Sequence, residues 1–331
     1  MARTPVFWRD QIVVVFTYDR KNFFESAVVA LSSEDGSELW RQTIDHVAIE
    51  PVIDANGTIY IASFAGAIHA YARDGNALWT SAFGKSNVTP PILSNGRLFI
   101  AETGGSGSKT RCLDAASGEV IWSAENGGHS YRLHVAGNRV FHATVVAGRQ
   151  FGQSTIHLHC LLHQTGQKVW SVEVDQYHFN VIMAGNLLLW GARHALNAYD
   201  PATGALVAHP AIPDGTAISS GPVLADGTII AADDSGIIRA IALEQKGLLF
   251  RKPALRELWF NSLPSSFAGQ PLIVGDHVYL LTEQGRVYCY NLAGNAIGPI
   301  LNVEGGKGGG SAAAGDTIAI SQGRVLELYR R

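Results

Sequence analysis

The chain repeats itself, and this property constrains its fold more than any other. The segment from Arg111 to Trp122, Arg-Cys-Leu-Asp-Ala-Ala-Ser-Gly-Glu-Val-Ile-Trp, reads as a hairpin: a short apolar strand, a polar turn closed by Gly118, and a second strand ending in tryptophan. Versions of it run from Ala30 to Trp40, Ala70 to Trp79, Cys160 to Trp170 and Ala198 to Ala208. Two copies are altered: Ala240 to Trp259 has a lengthened turn, and Cys289 to Gly298 has lost its tryptophan. Self-similarity at a period of roughly 40 to 50 residues points to a propeller or a solenoid.

A second hairpin precedes each of these units. Its cleanest copies begin at Pro51, Pro91 and Pro222 and carry Asn56-Gly57, Asn95-Gly96 and Asp226-Gly227 between apolar runs. Asn-Gly and Asp-Gly are favoured there because both central residues of a type I′ turn need positive φ. Counting these hairpins predicts eight second strands, starting near Ile12, Thr58, Arg97, Arg139, Leu187, Thr228, His277 and Thr317. No segment shows a helical period of useful length. Four short antiparallel strands, eight times over, make an all-β fold, an eight-bladed β-propeller spanning residues 1–331 as a single domain. The chain ends soon after Arg324 to Tyr329, so the last blade is expected to have three strands or to borrow one from residues 1 to 8.

Composition supports a large buried core, with 47% apolar and 16% charged residues. A formal charge of −3 provides no basic field for nucleic acid. No apolar run reaches the length of a membrane span. The first residues, Met-Ala-Arg-Thr-Pro-Val-Phe-Trp, contain neither an apolar signal core nor a lipidation cysteine. The expectation as written is a cytoplasmic protein, or a periplasmic or secreted one if an export signal has been removed.

Cys112, Cys160 and Cys289 stand where Ala30, Ala70, Ala198 and Ala240 stand in other repeats, so cysteine replaces a small buried residue and three free thiols are expected. Gly104 to Thr110 resembles a phosphate loop only faintly, runs into a strand, and reads as a flexible loop; Gly305 to Gly310 reads as a linker. His157 and His159 alternate along one strand face, while His163 falls in a turn expected to be solvated.

The repeat, small-Leu/Tyr-Asp-x-x-Ser/Thr-Gly-x-x-x-Trp after Pro-Val/Ile-x-x-x-Gly-x-Ile/Leu-Tyr/Phe, resembles that of the quinoprotein-type (PQQ-like) propellers over nearly the whole chain. The resemblance implies that the tryptophan docks on the neighbouring blade, a role carried over to Trp40, Trp79, Trp122, Trp170 and Trp259. Ala208 and Gly298 then imply looser interfaces after the fifth and seventh repeats. The quinone dehydrogenases of the family have an adjacent cysteine pair, which this chain lacks, and their calcium ligands match no motif here. No cofactor is expected, pyrroloquinoline quinone included, and no metal. The chain is closer in type to non-enzymatic members such as the propeller lipoprotein of outer-membrane protein assembly, without its lipid-anchor cysteine.

Loops joining one blade to the next, and loops between second and third strands, gather at one mouth of a propeller channel. They supply Phe23, Phe24, His46, Lys85, His129, Tyr131, Arg149, Phe151, Tyr177, His178 and Arg193 as a candidate ligand or partner face. Asp233 and Asn261 are expected on the same face, and Gln245 to Glu257, with Leu248-Leu-Phe250, on the opposite one. Apolar loop residues rimmed by Arg and Lys favour a non-catalytic scaffold that binds a protein or peptide. The alternative is an enzyme or carbohydrate-binding propeller using a His/Tyr-rich central pocket. The sequence leaves oligomeric state open.

Overall fold

A computed structural model describes residues 3–21, 23–84, 87–104, 107–147, 154–174, 181–192, 195–209, 218–233, 235–246, 252–267, 269–297, 301–302, 309–314, 317–322 and 325–330. These residues form eight antiparallel sheets and no helix, and the fold is an eight-bladed β-propeller. The first blade is Val6–Trp8, Gln11–Asp19, Phe24–Ser32 and Glu38–Asp45 in spatial order. The second is Val52–Ile53, Ile59–Ser63, Ala67–Tyr71 and Ala77–Ala82. In the third, Asn87–Val88 and Ile92–Ser94 share the innermost position, since Pro90-Pro91 cannot donate to the ladder, and Arg97–Gly104, Gly107–Asp114 and Val120–Glu125 follow. His129–Ala136, Arg139–Ala147, Ser154–Leu162 and Lys168–Val174 make the fourth. The fifth to seventh have second strands Leu187–Ala192, Thr228–Asp233 and His277–Leu281, and the eighth is Gly309–Ala314, Thr317–Gln322 and Val325–Arg330. Observed second strands begin within one residue of the eight predicted starts.

The residues cluster into two compact units, one of Met1–Ser154, Leu161–Lys168 and Gly308–Arg331, the other of Thr155–Cys160 and Val169–Lys307. Within each, the core lies between successive blades. In the first unit, Val13, Val15, Val28 and Ala30 of blade one pack on Ile59, Ile61 and Tyr71 of blade two. In the second, Ile230, Ile238 and Ala240 pack on Val278, Leu280, Tyr288 and Tyr290. Second strands are buried on both faces, which is why Ile12–Val15 and Leu98–Ala101 read as unbroken apolar runs.

Five of the interfaces are latched in the same way. The fourth-strand tryptophan of one blade lies on the third-to-fourth turn of the next and donates its indole N–H to a turn carbonyl. The pairs are Trp40 to Arg73 at 2.8 Å, Trp79 to Ala115 at 3.2 Å, Trp122 to His163 at 3.1 Å, Trp170 to Pro201 at 3.0 Å and Trp259 to Leu292 at 2.8 Å. The glycine of that turn is there for two reasons. Its φ is positive, and a Cβ on Gly166 would stand 2.4 Å from the Trp122 ring. The small residue one strand inward also follows from the latch, because Ala30, Ala70, Cys112 and Ala240 are the cross-strand partners of Trp40, Trp79, Trp122 and Trp259. None of the three cysteines is joined in a disulfide, and burial pushes the Cys112 thiol up to about 11.

A β-bulge recurs directly before Trp40, Trp79, Trp122 and Trp259 and leaves Leu39, Leu78, Ile121 and Leu258 exposed. Bulges on edge strands twist them away from pairing with other chains. Where Ala208 replaces the tryptophan, the third and fourth strands of the sixth blade stay paired past the position at which the other blades turn. They run on as Ile237–Lys246 and Lys252–Ser262, and Leu243 and Leu255 pack at the interface instead. The stretch from Gln245 to Glu257 is therefore mostly strand and not loop, with Leu248, Leu249 and Phe250 outside the described residues.

Three further expectations differ from the structure. Gly104 and Gly107 to Thr110 are paired strand residues, with Gly104 opposite Gly107, and not loop; Gly105 and Ser106 lie outside the described residues. Asn95-Gly96 and Asp226-Gly227 have the paired positive φ of a type I′ turn, but at Asn56-Gly57 only the glycine does, because Asp54 Oδ1 accepts from the Asn56 and Thr58 amides and widens the turn. His163 is buried. Its ring lies 4.6 Å from that of Phe99, and its carbonyl receives the Trp122 indole, so the turn carrying it is an interface.

Replacing Trp122 with alanine removes a buried aromatic and its hydrogen bond and is expected to cost roughly 3–5 kcal/mol in urea unfolding. Burial, then the charge of Arg97, holds the His163 imidazole below its ordinary value. The unfolded chain consequently binds more protons than the folded one as pH falls through about 6.5, so stability present above that pH is lost below it. Between pH 7.5 and 5 the melting temperature of the wild type is expected to fall further than that of His163→Gln; equal slopes would contradict the assignment.

Candidate functional site

The mouth-facing loops of the first two blades form one local assembly. The hairpin between Gln11–Asp19 and Phe24–Ser32 closes through Arg20 N–H on the Phe23 carbonyl at 2.9 Å, with Lys21 at φ 61°. Arg20 pairs with Glu25 at 2.9 Å and lies over the Tyr18 ring. With the turn thus held, Phe23 and Phe24 project outward, 58% and 49% exposed. His46 enters from the loop after the fourth strand. Its φ is 92°, its amide donates to the Phe24 carbonyl at 2.8 Å, and its carbonyl receives the Ser26 hydroxyl at 2.9 Å. That buried hydroxyl also accepts the Ala48 amide, so one serine fixes both arms of the loop.

The assembly continues into the second blade, where the sequence offered no warning. Phe64 N–H donates to the Val47 carbonyl at 2.8 Å, and the Phe64 side chain is 47% exposed. Its turn, Ser63–Gly66, is closed by the Gly66 amide on the Ser63 carbonyl at 3.0 Å. The structure thereby brings Phe23, Phe24, His46 and Phe64 onto one backbone-linked edge.

Other predicted residues divide differently. His129 opens the strand His129–Ala136 opposite Val145, and Tyr131 lies two residues along it, its side chain outside what the structure describes. Lys85, Arg149, Phe151, Tyr177, His178 and Arg193 all lie outside the described residues. Two mouth expectations are corrected. Asn261 is on the strand Lys252–Ser262, and its amide donates to the Gly294 carbonyl at 2.9 Å, beside the Trp259 latch. Asp233 is buried, its Oδ1 accepting from the Ser235 and Ile237 amides to shape a turn.

Buried polar groups mark a second pattern that sequence reasoning missed. At the end of the second strand and the diagonal position on the third stand Glu102 with Arg111 at 2.5 Å, Asp233 with Arg239 at 3.8 Å, and Ser63 with His69 at 3.4 Å. Arg239 also pairs with Glu257 at 2.6 Å. Such pairs need a partner on both sides because an isolated buried charge is costly. Burial holds His69 below its ordinary value, so it serves as a neutral hydrogen-bonding ring. Between blades three and four, His142 Nδ1 lies 2.9 Å from both Thr110 Oγ1 and Asn126 Nδ2, while Nε2 lies 3.1 Å from Ser130 Oγ. These groups pair chiefly with one another, although Asn126 Oδ1 and Arg239 Nε and Nη2 make no hydrogen bond, and among the described residues no cluster of three His, Cys, Asp or Glu side chains is arranged to hold a metal. The arrangement is suited to fixing loops rigidly, which is what a presenting surface requires.

Comparison with known proteins places this geometry in context. Over 77 residues the chain is 31% identical to the outer membrane protein assembly factor BamB of Escherichia coli K12; the match covers 23% of this chain and 20% of that protein. The crystal structure of BamB from Moraxella catarrhalis superposes with a TM-score of 0.70 at 17% identity, covering 100% of this chain and 96% of that one. A quinohemoprotein alcohol dehydrogenase from Pseudomonas putida HK5 superposes at 0.67 and 13% identity, covering 97% of this chain and 70% of the enzyme. At these identities the two superpositions speak to the fold alone. A family model described as outer membrane protein assembly factor BamB matches residues 25–184 and 165–298, and on that extent the chain belongs to this family of PQQ-like propellers.

Proposed function

We propose that the protein is a non-catalytic scaffold acting outside the cytoplasm, which engages a polypeptide partner in outer membrane protein assembly through the mouth-facing loops of its first two blades. The observation that carries the reading is the edge of Phe23, Phe24 and Phe64, three large apolar side chains held outward by backbone hydrogen bonds where a solvated loop has no use for them. Membership of a family named for outer membrane protein assembly supports the setting. Rigid aromatic anchors beside a cation, here Arg20, are the usual composition of a binding hot spot. The absence of an adjacent cysteine pair from the sequence supports a role without quinone.

Replacing Phe23, Phe24 and Phe64 with serine is expected to weaken capture of the partner from an envelope extract by about thirtyfold per dominant anchor, with the melting temperature nearly unchanged. Retained capture in the triple variant, or its loss in His129→Ala instead, would contradict the assignment. Pyrroloquinoline quinone with calcium is expected to leave the melting temperature unmoved, whereas a ligand of the native state at 100 times its Kd would add about 2.7 kcal/mol.

A further inference from the structure

Three Asn-Gly dipeptides occur in the chain, Asn56-Gly57, Asn95-Gly96 and Asn126-Gly127. In each, the side-chain amide of the asparagine is open to attack by the amide nitrogen of the residue that follows, and glycine, lacking a side chain, shields that nitrogen least. The fold sets the three apart. Gly57 is buried, its N–H donates to the Asp54 carbonyl at 3.1 Å, and the Trp8 indole covers it so closely that a Cβ would stand 2.9 Å from the ring. At Asn126 the group that would have to leave is tied down, with Nδ2 2.7 Å from Thr110 Oγ1 and 2.9 Å from His142 Nδ1.

Asn95-Gly96 has neither restraint. Both residues are exposed, at φ 50° and 71°, in the two-residue turn between Ile92–Ser94 and Arg97–Gly104. Among the described residues neither the Asn95 side chain nor the Gly96 N–H makes a hydrogen bond, and a Cβ added at Gly96 would meet nothing within 4 Å. The turn is also joined to two latches. The Gly96 carbonyl accepts the Ala115 N–H at 3.0 Å, and the Ala115 carbonyl receives the Trp79 indole at 3.2 Å. Arg97 Nη1 donates to the Gln164 carbonyl at 3.2 Å, next to the His163 carbonyl that receives the Trp122 indole.

We propose that Asn95 is a modification site, at which the folded protein converts spontaneously to aspartate and isoaspartate. The Gly96 nitrogen, having given up its proton to water, attacks Asn95 Cγ; the N–Cγ bond forms, the Cγ–Nδ2 bond breaks, and Nδ2 leaves as ammonia. The resulting succinimide ring takes up water. Opening at Cγ returns an ordinary aspartate, whereas opening at the main-chain carbonyl leaves isoaspartate, whose backbone runs one carbon further, through Cγ. One water enters, one ammonia leaves, and no oxidant or reductant takes part. The aspartate product fits the turn, since Asp226 holds the same position before Gly227 at φ 44°. The isoaspartate does not, because a two-residue hairpin turn has no slack for an added methylene. Its Gly96 carbonyl moves off Ala115, and the Trp79 latch loosens.

The test incubates the full chain at mildly alkaline pH, with and without denaturing urea. Each dipeptide is read by the mass difference between amide and acid and by enzymatic methylation of isoaspartate. In the folded protein Asn95 is expected to convert at least about tenfold faster than Asn56 or Asn126, which react only through local opening, and in urea the three rates converge. Equal rates in the folded protein, faster conversion at Asn56 or Asn126, or a contrast that survives in urea would overturn the proposal. In the purified isoaspartate form, amide exchange at Ala115 is expected to quicken and the melting temperature to fall, while Asn95→Asp keeps both. An isoaspartate form unchanged in exchange and melting would overturn the link to the latch. An equal loss in Asn95→Asp would assign the effect to charge and overturn that link as well.

Discussion

An indole ring laid on a glycine is the contact from which this fold is assembled. Each blade is a small twisted sheet with two apolar faces, and such a sheet cannot stand alone in water. The tryptophan covers the gap between neighbours at the outer radius, where the sheets diverge and aliphatic side chains of the second strands no longer meet. The same contact dictates three sequence features at once: the aromatic on the fourth strand, the small residue opposite it on the third, and the glycine in the next blade's turn. That is why the repeat is recognisable even where most other positions have drifted.

The latch also explains what the loops can do. Because five of the blades are tied to the next through backbone carbonyls, the turns at the opposite ends of their strands are held by a stiff frame. There the chain places buried hydroxyls and small polar networks: Ser26 between two arms of one loop, and Thr110, Asn126, Ser130 and His142 between two blades. Buried polar groups of this kind contribute little net stability but tolerate few alternative geometries. Rigid loops carrying outward phenylalanines bind without first being ordered, which lowers the entropic cost of association.

Much of this was legible from residue order alone, because repetition turns one ambiguous hairpin into eight consistent ones. Asn95-Gly96 and Asp226-Gly227 fixed their turns through their own φ preferences, and the starts of the second strands followed. The function of Gly118 was half visible: its turn geometry shows locally, but the indole of Trp79 above it belongs to another repeat. Asn261 and His163 were misplaced for the same reason, since their partners, Gly294 and Phe99, lie in neighbouring blades. Phe64 escaped notice because a four-residue turn carries no periodicity to show which way its side chain faces. The pairing of Arg111 with Glu102, and of Arg239 with Asp233, needs the strand register, which composition does not supply. Six of the eleven candidate face residues, from Lys85 to Arg193, lie outside the described residues, so the site rests on the first two blades.

The central claim is that tryptophan and glycine act as one unit across the blade interface. A double-mutant cycle on Trp122 and Gly166, followed by urea unfolding, measures this directly. In the wild-type background Gly166→Ala forces a methyl against the ring and adds backbone strain, whereas in Trp122→Ala only the strain is left. The account predicts that the second cost is smaller than the first by about 1–3 kcal/mol, the coupling expected of residues in contact. Additive costs would mean that the glycine serves its turn alone and that the blades are held together by something else.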